Sequence, residues 1–186
     1  MGEHPDCGAR HVRMHIRRAV DADADAIAAV HVRSWQGAFP GLIPQDYLDA
    51  LRPEDRLDMW HETLAATAWP RSGTFVALPD DAPVVGFVCL GPSRDPEADP
   101  RTVGEIYTIY LDPPAWGSGA GDLLLEAALE EMRAGSYRRA TLWTLGTNDR
   151  ARRFYARHGW QADGASKLHD WGAFVATDVR YGIDLA

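Results

Sequence analysis

Leu111-Asp112-Pro113-Pro114-Ala115-Trp116-Gly117-Ser118-Gly119-Ala120-Gly121-Asp122 joins an apolar segment to an amphipathic one through a run rich in proline and glycine. Before it runs an apolar, β-branched and aromatic segment from Glu105 to Leu111, which predicts a strand ended by Asp112-Pro113-Pro114. After it, Leu123, Leu124, Ala127, Ala128 and Met132 recur at helical spacing until Gly135 stops the pattern. The unit is therefore strand, glycine-rich turn, helix. Glycines at that point let the backbone approach a ligand and aim several N–H groups at one spot. The helix N-terminus adds partial positive charge, so the turn can cradle a phosphate or pyrophosphate. A tight turn that only needs positive φ accounts for the glycines equally well. Two nucleotide readings fail. A P-loop requires Gly-Lys-Ser/Thr, and no such lysine is present; a dinucleotide fingerprint counted from Gly117 needs a sixth-place glycine, where Asp122 stands.

Working toward the N-terminus, Thr74–Leu78 and Val84–Leu90 flank the turn Asp80-Asp81-Ala82-Pro83 and predict an antiparallel hairpin. Pro92 to Pro100 is a polar, proline-rich loop. Pro53 starts a helix with Leu57, Trp60 and Leu64 on one face. Gly37, Pro40, Gly41 and Pro44 break the chain before it. An earlier helix, capped by Asp21 and ending near Trp35, carries Ile27, Val30 and Ser34 on one face. His15–Val20 alternates as a short strand, and residues 1–14 are expected to form a loose tail. Toward the C-terminus, Ala140–Leu145 predicts a strand, Asp149–His158 a helix closed by Gly159, and Phe174–Leu185 a last strand. A hairpin first and strand–helix–strand later define an α/β (α+β) domain, residues 15–186, whose mixed, mostly antiparallel sheet is flanked by helices.

The chain has 186 residues, the length of one domain. Hydrophobic residues form 46% and charged residues 25%, the balance of a packed globule. The net charge of −8 and the absence of a basic stripe exclude a typical nucleic-acid binder. No apolar run of about 18 residues is present to cross a membrane, and no apolar signal core precedes His15. Two cysteines, Cys7 and Cys89, make no disulfide framework, which leads to the expectation of a reducing cytoplasm.

From about Ile16 to Leu185 the chain resembles the GNAT superfamily of acyl-CoA-dependent N-acetyltransferases. Three pieces carry the resemblance in order: Glu105–Pro113, the turn with Gly119-Ala120-Gly121, and Asn148–Tyr155 followed by His158-Gly159-Trp160. Trp116 stands where the family usually has Gln or Arg. The resemblance implies the GNAT fold and acetyl-CoA as co-substrate without a metal. It places the CoA pyrophosphate on Trp116, Gly117, Ser118, Gly119, Ala120, Gly121 and Asp122. It sets the pantetheine arm along the main chain of Ile109, Tyr110 and Leu111, with Asn148 touching the cofactor or capping the helix that follows.

Acetyl transfer from a thioester to an amine must remove a proton from the amine, stabilise an oxyanion and protonate the leaving thiolate. The resemblance points to Tyr155 as the acid, and a phenol carries its proton at neutral pH. Glu105 is the candidate base, against the alternative of a strand-edge glutamate, and His31 is the runner-up. Trp35, Phe39, Trp60, Tyr107 and Tyr110 either line an aromatic acceptor pocket or belong to the core, and His31, Trp35, Phe39 and Tyr107 are taken as acceptor-site residues. The expected reaction is direct transfer, within a ternary complex, to a primary amine of a small molecule or a peptide N-terminus. A GNAT-fold protein that binds acyl-CoA or a small ligand without turnover is the alternative. His4, Cys7, His11 and His15 are ligand-type residues, but Pro5 and Gly8 oppose the helix that would align them for zinc. The apolar C-terminal strand offers an edge for pairing in a homodimer.

Overall fold

In a computed structural model, residues 13–80 and 82–185 are described, so His4, Cys7, His11 and nearly all of the expected tail lie outside them. One seven-stranded sheet, in the order β1-β2-β3-β4-β5-β7-β6, organises the domain. The strands are β1 (Met14–Arg18), β2 (Gly73–Pro79), β3 (Gly86–Pro92), β4 (Val103–Leu111), β5 (Arg139–Leu145), β6 (Gln161–Asp170) and β7 (Val175–Asp184). Only β4 and β5 run parallel; every other pair is antiparallel. The helices are α1 (Ala24–Ala38), α2 (Gln45–Ala50), α3 (Leu57–Ala65), α4 (Ala120–Ala134) and α5 (Asp149–Arg157).

Helices cover both faces of the sheet. The α4 residues Leu124, Leu125, Ala128 and Met132 pack with Phe75, Val88, Ile106 and Leu142 on one face. On the other, Ile27 and Val30 of α1 and Trp60 of α3 pack on Val76 and Phe87. Burying a side chain of this size stabilises the fold by about 1.5–3 kcal/mol each. A third cluster joins Val32 and Trp35 of α1 to Ile43, Leu48 and Leu51 around α2.

Several sequence expectations need correction. Leu123 is 38% exposed, and Leu125 takes its place in the core. Asp21 does not cap the first helix: its carboxylate meets Nδ1 of His61 at 2.7 Å. Asp23 does the capping work instead, accepting the Val20 N–H at 2.8 Å and both guanidinium arms of Arg17 at 2.7 and 2.8 Å. The Arg17 hydrogen bonds, against the opposing pull of partial burial, hold the Asp23 carboxyl below its usual range. The C-terminal strand is not a free edge, because β7 is bonded to β5 on one side and β6 on the other. The sheet ends at β1 and β6.

What positions the site is a failure of pairing. β4 and β5 stay together only from Val103↔Arg139 to Ile106↔Leu142. Beyond that, β4 continues with β3 and β5 with β7, and the two central strands splay apart. A register shift opposite Cys89 and Leu90 leaves Tyr107 unpaired as a bulge at the start of the splay.

Candidate active site

The splay opens into a cleft of about 760 Å³, walled by the second half of β4, the end of β5, the glycine turn, α5, the end of α1 and the β6–β7 hairpin. Asp112 N–H bonds back to Val85 of the β3 side at 2.8 Å. Main-chain alternation along β4 then turns the N–H and C=O groups of Ile109 and Leu111 toward the gap. Leu111 C=O is taken up by the Trp116 indole N–H at 3.1 Å. Ile109 and the Leu111 N–H remain as an open strip of main chain on the cleft wall, where Ile109, Tyr110 and Leu111 all lie.

Gly117 and Gly119 adopt φ of +80° and +86°, a conformation that L side chains rarely take. A Cβ built on either would meet nothing within 4 Å, so their glycine identity serves the backbone shape and leaves open space above the turn. The first-turn N–H groups of Gly121 and Asp122 have no intrahelical acceptor, and both residues line the cleft with Gly117 and Gly119. Ser118 and Ala120 do not line it. The Ser118 hydroxyl donates to Ala115 C=O at 2.7 Å and accepts from Ala120 N–H at 3.3 Å, while the Ala120 methyl is buried in the core. These two shape the turn rather than its open side.

Trp116, the departure from the family pattern, supports a cation. The Arg150 guanidinium stacks on its ring at 3.4 Å and has no acidic partner among the described residues. Burial lowers the Arg150 pKa without neutralising it. Arg150, Arg153 and Arg157 follow one another along the cleft-facing side of α5. Asn148 both lines the cleft and caps α5, its side-chain oxygen accepting the Ala151 N–H at 3.1 Å. An open main-chain strip, a glycine cradle on a helix N-terminus and a row of arginines fit an extended ligand with a pyrophosphate, as CoA has.

Tyr155 stands in the cleft wall, buried against Trp160 and Tyr181, and burial raises its pKa so that the phenol keeps its proton. Tyr110 is pushed up to about 12 by the same cause. Around the Tyr110 ring gather His31 at 5.2 Å, Phe87 at 5.8 Å and Trp35 at 6.4 Å between centroids. His31 is buried and its Nδ1 finds no partner; desolvation first, and then the nearby Arg56 cation, lower its pKa to about 4. Trp35 and Phe39 line the cleft with their rings 5.1 Å apart. Tyr107 also lines it, although its hydroxyl donates to Pro92 C=O at 2.7 Å. Trp60 packs on Phe87 at 4.8 Å in the core and lines a smaller cavity of about 430 Å³ under α3.

Glu105 does not reach the cleft. At 1% exposure, its carboxylate takes three hydrogen bonds from Arg94: the backbone N–H at 2.8 Å, Nε at 3.2 Å and Nη2 at 2.6 Å. It is Arg94 that faces the cleft, stacked over Tyr107 at 4.1 Å.

The β6–β7 hairpin contributes groups that sequence reasoning missed. His169 Nδ1 lies 3.1 Å from the nearly buried Asp178 carboxylate, and the His169 ring stacks on Trp171 at 4.0 Å. Trp171 in turn meets Trp35 edge-on at 4.9 Å, and Phe174 closes the same wall. No group of three or more His, Cys, Asp or Glu side chains that could hold a metal occurs among the described residues, and His15 instead pairs with Asp80.

Comparison with known proteins agrees with this geometry. Residues 35–160 match the Acetyltransferase (GNAT) family. An uncharacterized N-acetyltransferase of Archaeoglobus fulgidus is 34% identical over 143 residues, 77% of this chain and 90% of that protein. The uncharacterized N-acetyltransferase YuaI of Bacillus subtilis is 32% identical over 133 residues, 72% of each chain. Among solved structures, the PaiA N-acetyltransferase of Thermoplasma acidophilum in complex with coenzyme A has a TM-score of 0.71 at 18% identity. It covers 92% of this chain and 99% of that one. The chain belongs to the GNAT family of acetyltransferases. It is an acetyl-CoA-dependent acetyltransferase. No described helix is long and apolar enough to cross a membrane.

Proposed function

We propose that this protein acetylates a primary amine of a small molecule, or a peptide N-terminus, by direct attack on acetyl-CoA within a ternary complex. The observation that carries the reading is the continuity of one cleft, from the glycine turn and α5 arginines, past Tyr155, to an aromatic chamber beside Tyr110. Acetyl-CoA supplies an acetyl group activated as a thioester. The turn amides, with Arg150 and Arg153, hold its phosphates, and Ile109 with the Leu111 N–H aligns the arm. Tyr155 holds the proton that the departing sulfur takes up, since burial keeps the phenol un-ionised.

For the amine's proton, the geometry favours His169. Asp178 engages Nδ1 and so sets the tautomer, leaving Nε2 as the acceptor on a ring that lines the chamber. Glu105, bound on both oxygens by Arg94, instead fixes Arg94 at the chamber mouth. Balance is simple: the C–N bond forms, the C–S bond breaks, one proton passes to His169 and one leaves Tyr155 for sulfur.

The test is Tyr155→Phe and His169→Gln, assayed by CoA release with a panel of amines. Each is expected to lower kcat by about 10²–10⁴-fold. CoA affinity should stay within about twofold in both, because neither group is assigned to the phosphates or the arm. If Glu105→Gln abolishes turnover and His169→Gln leaves it, the base is Glu105 acting through water. If CoA binds but no variant or amine gives turnover, the chain is a ligand-binding member of the fold.

A further inference from the structure

Most charged groups in the cleft have an evident partner. Arg94 is held by Glu105, Arg157 reaches Asp122 at 3.4 Å, and Lys167 lies over Trp143 at 3.9 Å. Arg150 and Arg153 belong to the phosphate end. Asp178 is matched by His169. Arg56 is the exception at the acceptor end.

Arg56 ends the 3-10 turn Pro53–Arg56 that leads into α3 and packs beside α1. Its side chain is half-buried and lines the chamber next to His31 and Met59. Among the described residues it makes neither an ion pair nor a side-chain hydrogen bond. His31, which lines the chamber with it, is buried and uncharged at neutral pH and cannot balance it. A guanidinium partly withdrawn from water without an acid is costly unless something arrives to pair with it. Asp178, paired with His169, lines the same chamber and offers the opposite charge. The remaining walls are the rings of Trp35, Phe39, Trp171 and Phe174.

Resting on the acetyltransferase reading above, we infer that Arg56 binds a carboxylate of the acceptor, so that the acceptor class is an apolar or aromatic α-amino acid. The amine faces Asp178 and His169, the carboxylate forms a two-pronged pair with Arg56, and the side chain lies among the four rings. A planar guanidinium suits that pairing better than an ammonium would. The same arrangement disfavours a peptide N-terminus, whose neighbouring carbonyl carries no charge.

The experiment compares N-acetyltryptophan with N-acetyltryptamine, products that differ by the carboxylate alone, in calorimetric titrations of the CoA-saturated protein. Wild type is expected to bind N-acetyltryptophan at least ~10-fold more tightly than N-acetyltryptamine. Arg56→Met should erase that difference by weakening the carboxylated ligand, and Arg56→Lys should restore part of it. Thermal melts of both variants establish that they are folded. Equal binding of the two ligands to wild type, binding of neither, or parallel weakening of both by Arg56→Met overturns the assignment. Because these titrations need no turnover, they decide the role of Arg56 even if no amine is acetylated. Failure of the acetyltransferase reading would show separately, as absent CoA release with every amine tried.

Discussion

Tyr155 and His31 show how burial assigns chemistry at the scale of single residues. Both are buried and line the cleft, and in both the uncharged form is favoured. The tyrosine keeps its phenolic proton. The histidine ring stays neutral at physiological pH and takes no part as a cation, with a measurable effect on stability. Above pH 6.5 His31 is neutral in both the folded and unfolded chain. Between 6.5 and about 4 the unfolded chain binds a proton that the fold refuses, so stability falls as pH falls. Below about 4 the loss is complete, and it is on the order of 3 kcal/mol. Urea melts at pH 7 and pH 4 should therefore show wild type losing more stability than His31→Phe by about that amount. Equal losses would mean that His31 is reached by water and titrates normally.

At the scale of elements, the glycine turn opens α4 at the end of the cleft where the proposal seats the cofactor. Gly119→Ala meets no neighbour, so its cost comes from φ of +86° alone, about 1–2 kcal/mol for a left-handed residue. Relaxation of the turn would move the free N–H groups, and the expected result in a CoA titration is an affinity about 10-fold weaker with only a small fall in Tm. An unchanged affinity would show that the amides of this turn do not hold the phosphates. This part of the site was legible because the chemistry is local: β4 is apolar and β-branched, the glycines are adjacent, and α4 has a clean helical period. At the other end His31, Trp35, Phe39 and Tyr107 were singled out from sequence and line the cleft, whereas the groups of the β6–β7 hairpin were not. β6 is an exposed edge strand with no apolar alternation to betray it, and α2 is a six-residue helix confined between prolines. His169 and Asp178 meet only because β6 and β7 pair, and Trp171 reaches Trp35 across 136 positions of sequence. Glu105 read as a base because its place beside the apolar strand was visible, while the Arg94 that closes over it comes from a polar loop with no periodic signal.

For the whole molecule, the parting of β4 from β5 is the organising event. Two strands that pair only from Val103 to Ile106 leave main-chain groups unpaired along a wall, and the fold lines that gap with the glycine turn at one end and aromatic rings at the other. The two helix layers stabilise the parted sheet from both faces. Calorimetric titration with acetyl-CoA, beside ATP and NAD as controls, tests this most directly. One saturable site with micromolar affinity for acetyl-CoA is expected, with no measurable heat from NAD. Absence of acetyl-CoA binding, or equal binding of all three, would contradict it.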